Sequence, residues 1–194
     1  DAFGGEDFTL VEDTDSVETV LDLCTGSGAI AILASNVFEN AEIDAVDLSS
    51  DALEVARINV DQQGLAGRIE LYEGDLFAPL EGKRYDLILT NPPYVDEIAM
   101  EELPEEYRHE PAMALGSGLD GLDIVRRILA AAPDHLNPGG GILCEIGAGR
   151  EILEAEFPDF EFLWLDTEES EGEVFWLSAE ALGVADSSTI GAVD

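Results

Sequence analysis

Val20-Leu21-Asp22-Leu23-Cys24-Thr25-Gly26-Ser27-Gly28 runs from an apolar strand pattern into a turn of small residues, and Ala29-Ile30-Ala31-Ile32-Leu33-Ala34 then has helical composition. A glycine turn between a parallel strand and a helix lets a ligand approach the backbone closely. About nineteen residues after Gly28, Ala45-Val46-Asp47 ends a second apolar run on an acid. That is the offset at which a ribose-binding carboxylate follows the first turn of a nucleotide-binding βαβ unit. The pair alone fits NAD, a flavin or S-adenosylmethionine. The missing third glycine of the dinucleotide fingerprint weighs against NAD.

Outward from this stretch, the patterning predicts strands at 17–23, 42–46, 68–72, 85–90, 141–146, 160–166 and 173–178. It predicts helices at 28–38, 50–62, 119–135 and 148–156. The second helix has a cap at Ser49 or Ser50, acids Asp51 and Glu54 near its start, and a stop before Gly64. Leu122, Val125, Ile128, Leu129 and Ala132 share one face of the third. Asn137-Pro138-Gly139-Gly140-Gly141 reads as a turn into the following strand. Strand-helix alternation implies an α/β fold with a doubly wound, seven-stranded, mostly parallel sheet. The last two strands, joined by Glu168 to Gly172, read as a hairpin adding an antiparallel C-terminal strand. Residues 1–16 read as a frayed lead-in, 17–180 as the domain and 181–194 as a tail.

In such sheets ligands bind at the carboxyl ends of the strands. Asp22 through Gly28, Asp47, Asp75 and Asn91 all fall at predicted strand ends. Asn91-Pro92-Pro93-Tyr94 follows the buried-strand pattern Tyr85-Asp86-Leu87-Ile88-Leu89-Thr90. Two prolines stiffen the loop and remove two donors. What remains is an amide side chain, bare carbonyls and one ring. The amide can pair with both a donor and an acceptor on a planar partner, and the ring can cover the partner's flat face.

The 194 residues suffice for one substantial domain, and 46% are hydrophobic, so a core is available despite the charge. No run approaches the length of a membrane span, and no leader peptide is visible. Cys24 and Cys144 lie in apolar strand contexts and read as reduced thiols of a cytoplasmic protein. With His109 and His135 standing alone, no metal site is expected. The net charge of −36, from 44 acids against 8 Lys and Arg, is spread along the chain. Such a surface keeps a protein hydrated in high salt, and a halophilic adaptation is the reading favoured here. It argues against direct binding to duplex nucleic acid, which needs basic patches.

With these residues placed, the chain resembles the class I, Rossmann-like, S-adenosylmethionine-dependent methyltransferases, and more narrowly the N(5)-glutamine methyltransferase family. The matching stretches are Leu21 to Ala31, Gly74-Asp75-Leu76-Phe77, Asp86 to Val95, Glu110-Pro111 with Ala114-Leu115-Gly116, and Asp120-Gly121-Leu122-Asp123 with Arg126 to Leu129. Tyr107 to Pro111 and Phe162-Leu163-Trp164-Leu165 look most like the branch acting on large-subunit ribosomal protein number three. The sibling branch acts on peptide release factors. The match spans roughly residues 17 to 180.

The resemblance implies methyl transfer from S-adenosylmethionine to a glutamine side-chain amide of a protein substrate, a ribosomal protein or a release factor. It implies that Asp22, Cys24, Thr25, Gly26, Ser27 and Gly28 approach the methionine part of the cofactor. Asp47, with Leu48 beside it, would take the ribose hydroxyls, and Asp75 and Leu76 would flank the adenine. Asn91, Pro92, Pro93 and Tyr94 would hold the reacting amide, with Glu110 and Pro111 supporting that loop. Family members carry an N-terminal helical substrate domain that has no counterpart in these residues. A DNA or RNA base amino-methyltransferase, which can share Asn-Pro-Pro-Tyr, and a non-catalytic nucleotide-binding fragment are the alternative readings. The sequence leaves the oligomeric state open.

Overall fold

The computed structural model describes residues 10–11, 13–93, 120–147, 149–165 and 173–185. Tyr94, Val95, the segment Tyr107 to Gly116, the hairpin connection Glu168 to Gly172 and the start of the lead-in lie outside them. So do residue 119, residue 148 and the end of the tail.

Seven strands form one sheet: β1 (Thr19–Leu23), β2 (Glu42–Asp47), β3 (Ile69–Glu73), β4 (Tyr85–Thr90), β5 (Leu136–Glu145), β6 (Leu163–Leu165) and β7 (Val174–Ser178). Their order is β3-β2-β1-β4-β5-β7-β6. The first five are parallel, and β7 runs antiparallel between β5 and β6. The expected doubly wound sheet with an antiparallel C-terminal strand is therefore present. The chain starts at β1 in the middle, winds out to β3 and crosses back to β4, which puts the reversal of strand order between β1 and β4.

Among the described residues four α-helices cover the faces: α1 (Ala29–Val37), α2 (Ser50–Gln62), α3 (Asp123–His135) and α4 (Arg150–Glu156). On one face Val20, Ile43, Ala45 and Leu87 pack with Ala31, Ala34 and Phe38 of the α1 region and Val60 of α2. On the other, Leu21, Leu23, Ile88 and Ile142 pack with Val125, Ile128 and Leu129 of α3 and Leu153 of α4. Adjacent residues of β1 thus point into different cores, which is why that strand reads as an apolar run instead of alternating.

Ser49 caps α2, its side chain accepting from Ala52 N–H at 3.3 Å. α3 begins at Asp123, later than the expected 119, and Leu122 occupies the cap. The C-terminal strand 160–166 shortens to Leu163–Leu165. In the lead-in, Asp13 caps a short 3-10 turn at Thr14–Ser16. At the other end Leu182 is buried with the α3 core, so packing continues past residue 180.

One expectation is corrected. The Asn137 to Gly141 segment does not precede β5; the strand starts at Leu136 and contains it. Leu136 pairs with Tyr85, and pairing resumes at Leu87 with Gly141, so the turn-like residues form an irregularity within the ladder. Asn137 Nδ2 donates to Asp86 Oδ1 at 2.8 Å and anchors the excursion on β4. Asp86 Oδ2 accepts from Glu18 and Thr19 N–H, both at 2.9 Å, which also fixes the entry into β1.

Lys83 and several arginines serve the fold. Arg68 donates to Ser35, Phe38 and Ala41 carbonyls around the end of α1. Arg84 does the same for Pro133 and Leu136 at the end of α3. Lys83 Nζ donates to Asp44 at 2.7 Å and Tyr72 Oη at 2.6 Å, and Tyr85 Oη donates to the same Asp44 oxygen. Asp44, Lys83 and Tyr85, with Arg68 and Arg84, line a groove of about 710 Å³ near the amino ends of the central strands. Arg126 bridges Asp120, Asp123 and Glu156, and its guanidinium holds the Asp120 carboxyl down at about 2.

Candidate active site

Strand register aligns the carboxyl ends. Leu23 stands beside Val46 on β2 and Thr90 on β4, and Asp47 stands beside Glu73 on β3. The loops that follow, Cys24 to Gly28, Leu48 to Ser49, Gly74 to Leu76 and Asn91 to Pro93, consequently leave from one edge, at the switch point of the sheet.

The glycine turn owes its shape to left-handed residues: Cys24 at φ 59°, Gly26 at 55° and Gly28 at 81°. A side chain on Gly28 would also bring its Cβ to 3.3 Å from that of Ala56 on α2, so the glycine is needed for conformation and for close packing. A Cβ on Gly26 would meet nothing within 4 Å. The outer side of the turn is open at the residue expected to admit a ligand.

Backbone and carboxylates hold this turn from all sides. Thr25 N–H donates to Val46 carbonyl at 3.0 Å and Gly28 N–H to Thr25 carbonyl at 2.9 Å. Gly26 N–H donates to Asp47 Oδ2 at 2.8 Å, while Asp47 Oδ1 accepts from Ser49 N–H at the same distance. Each oxygen of Asp47 therefore has one backbone donor and retains capacity for another. Gly74 N–H donates to Asp47 carbonyl at 3.0 Å, tying the third loop to the second. Leu48 is exposed beside them.

Asp22 lies beneath the turn, fully buried. Its Oδ2 accepts from Thr25 Oγ1 at 2.5 Å and from Ala31 N–H at 2.9 Å, linking strand, turn and first helical turn. Oδ1 is buried with no hydrogen-bond partner. Burial raises this carboxyl to about 7 against the pull of its two donors, and the negative charge of Asp47 adds to the rise. Cys24 is pushed up to about 12, by burial first and then by Asp47 and Asp22, so its thiol stays protonated at neutral pH.

Asp75 is exposed at the third loop, where Leu76 is left-handed at φ 52°. Arg127 of α3 reaches Asp75 Oδ2 at 2.6 Å. The carboxylate expected to flank the adenine thus already shares one oxygen with a cation. Asn91 is exposed, Pro92 buried and Pro93 half-buried beyond β4, so the loop presents the amide while its first proline is anchored. Tyr94 lies outside the described residues.

Two supports went unread in the sequence. Asn59 of α2 donates from Nδ2 to Ser27 carbonyl at 2.9 Å, bracing the turn opposite Asp47. Thr90, buried at the end of β4, donates from Oγ1 to Leu23 carbonyl at 2.9 Å. Asn59 resembles any polar residue on a helix surface and Thr90 any strand-end residue, so only tertiary geometry exposes either. Among the described residues no group of His, Cys, Asp and Glu is arranged to hold a metal ion, and no helix is long and apolar enough to cross a membrane.

A seven-stranded sheet of this order, with a glycine turn, a following acid and an Asn-Pro-Pro loop at one edge, defines a methyltransferase domain. The methyltransferase small domain family matches residues 8–118, and the chain belongs to that family. It is 59% identical to the ribosomal protein uL3 glutamine methyltransferase of Bradyrhizobium diazoefficiens, over 92% of this chain and 56% of that protein. Its identity to the protein of the same name from Bordetella pertussis is 54%, over 89% and 58%. The chain thus spans little more than half the length of these curated relatives. Among solved structures, a methyltransferase from Pyrococcus furiosus superposes with a TM-score of 0.62 at 19% identity, over 84% of this chain and 75% of that one. A ribosomal protein L11 methylase from Lactobacillus delbrueckii gives 0.57 at 22%, over 82% and 68%. At such identities these two speak for the fold alone.

Proposed function

We propose that this chain is the catalytic domain of an S-adenosylmethionine-dependent methyltransferase that modifies the side-chain amide nitrogen of a glutamine in ribosomal protein uL3. The observation that carries the substrate is its identity of 54–59% to relatives bearing that name, across about nine-tenths of the chain. The observation that supports the chemistry is the Asn91 loop leaving the sheet edge directly beside the glycine turn.

The residues present fit the cofactor. The turn is open over Gly26, Asp47 keeps spare acceptor capacity for two ribose hydroxyls, and Asp22, with one oxygen left without a partner, lies beneath the turn that would hold the methionine end. Leu48 would lie along the ribose and adenine, with Asp75 and Leu76 on the adenine's other side. When bound, the cofactor supplies a methyl group on a sulfonium, a leaving group that needs no acid from the protein.

A glutamine amide is a weak nucleophile because its nitrogen lone pair is delocalised into the carbonyl. The Asn91 Oδ1 and the Pro92 carbonyl would accept its two N–H groups and turn the nitrogen toward the methyl. Pro93 stiffens the loop, and Tyr94 would cover the flat amide. The protein's contribution is alignment for in-line transfer. With the cofactor held by the glycine turn and Asp47, its sulfonium would supply the methyl group to the aligned amide nitrogen, which would then give up one proton to water, so no general base is needed before transfer.

The charge distribution supports a protein substrate. Lys83, Arg68, Arg84, Arg126, Arg127 and Arg150 are all engaged by carboxylates or helix-end carbonyls, which leaves them poorly suited to a nucleic-acid groove. A basic ribosomal protein suits the acidic surface. We read the same acidity as halophilic adaptation and place the enzyme in the cytoplasm with its substrate. The deciding experiment incubates the full-length protein with labelled cofactor and either uL3 or release factors, followed by mass spectrometry. A gain of one methyl on a uL3 glutamine is expected; label on release factors alone, or on nucleic acid, would overturn the assignment.

A further inference from the structure

We propose that Thr90 is a positioning residue that locks the cofactor turn to the amide-holding loop through its bond to the Leu23 carbonyl. The inference rests on the functional reading above. Leu23 and Thr90 are register partners where β1 and β4 end. Two residues on, Pro92 and Pro93 have no N–H, so the backbone offers no donor at the two positions after Asn91. The Thr90 hydroxyl provides an additional cross-strand bond here, at 2.9 Å and with the residue only 4% exposed.

The accepting carbonyl belongs to the peptide group joining Leu23 to Cys24. Cys24 is held at φ 59°, a conformation a non-glycine residue adopts only when its surroundings impose it. Rotation of that peptide plane would change the Cys24 φ and swing the start of the turn. On the β2 side the turn is fixed by Thr25 N–H on Val46 carbonyl; on the β4 side Thr90 does the corresponding work. Because Asn91 is the next residue, one side chain sets the distance between the cofactor turn and the amide-holding group.

The test compares side chains with and without a hydroxyl at two sizes: wild type with Thr90→Val, and Thr90→Ser with Thr90→Ala. In the full-length protein at molar KCl, S-adenosylhomocysteine affinity is measured by calorimetry, and methyl transfer at saturating cofactor in parallel. Loss of the hydroxyl should weaken binding about tenfold in each pair, and Thr90→Ser should remain within about twofold of wild type. Transfer at saturation should also fall in Thr90→Val and recover in Thr90→Ser. Affinity that follows side-chain size instead, with Thr90→Val like wild type, would overturn the proposal. So would lowered thermal midpoints with unchanged affinity. If Thr90→Val does not fold, the Ser and Ala pair decides. Failure of the wild type itself to bind would instead overturn the functional reading and this inference with it.

Discussion

Gly26 donates its backbone N–H to Asp47 Oδ2 at 2.8 Å, so the residue at the crest of the glycine turn is tethered to the acid that ends the neighbouring strand. The other Asp47 oxygen holds Ser49, the cap of α2. One carboxylate therefore organises two loops before any ligand arrives. Asp47→Ala should weaken S-adenosylhomocysteine binding by about 1–3 kcal/mol, the scale of lost charged hydrogen bonds. NAD should not bind the wild type. Calorimetry with both ligands checks the two statements; tight NAD binding with none for S-adenosylhomocysteine would refute them.

The two glycines of the turn should respond differently to alanine. Both have positive φ, which costs an L-residue roughly 1–2 kcal/mol. Only at Gly28 does the new Cβ also crowd Ala56, at 3.3 Å. Gly28→Ala should therefore lower stability more than Gly26→Ala, by about 1 kcal/mol or more. Denaturant midpoints at fixed salt measure the difference, and equal effects would mean that α2 yields freely.

Asp22 predicts a pH dependence with an unusual sign. Its carboxyl is raised to about 7 in the folded protein against an ordinary value of 3.8. Between these values the folded state holds a proton that the unfolded chain has lost, so this group makes stability fall as pH rises from about 4 to 7. Most buried carboxylates held by ion pairs act in the opposite direction. Asp22→Asn keeps an oxygen for Thr25 and Ala31 and removes the ionisation. The variant should lose part of the decline over that window and gain stability relative to wild type at pH 8. Urea midpoints from pH 4 to 8 at constant high salt are the measurement.

Salt should act in one direction on the whole fold. With 44 acids and 8 bases, repulsion at low ionic strength is spread over the surface and is screened as salt rises. The thermal midpoint should climb from low to molar KCl. A flat or falling curve would leave attraction of a basic partner as the explanation of the charge.

How much of this was legible depended on where each constraint comes from. Helix α2 was read to its ends because its signals are local: Ser49 at the cap, apolar positions at helical spacing, and Gly64 just beyond. The glycine turn and Asp47 were legible because the spacing between them is itself chemical information. β5 was misplaced at its start because Asn137, Pro138 and three glycines oppose strand by every local preference. What keeps them in the ladder is distant, namely the Leu136 pairing with Tyr85 and the Asp86 carboxylate on Asn137. The Arg127 pair with Asp75 was hidden for the same reason, since the partners are far apart in sequence and surface charges give no hint of pairing.

Asn91 separates catalysis from cofactor binding. It is exposed just beyond β4, whereas the contacts that shape the glycine turn come from Asp47, Asp22, Val46, Asn59 and Thr90. Asn91→Ala removes an acceptor for the substrate amide and leaves those contacts in place. Because that acceptor is used most fully when the amide nitrogen is aligned with the methyl, its loss should appear in the transfer step. Affinity for S-adenosylhomocysteine should stay near normal while the single-turnover rate on uL3 falls by about two orders of magnitude or more. Tyr94→Phe should be milder, since a ring that covers the amide survives loss of its hydroxyl. Cofactor calorimetry and rapid-quench transfer on the full-length protein give both numbers. A variant Asn91→Ala that transfers methyl at the normal rate would reduce the Asn-Pro-Pro loop to a structural element, and the amide chemistry would then have no support in the site.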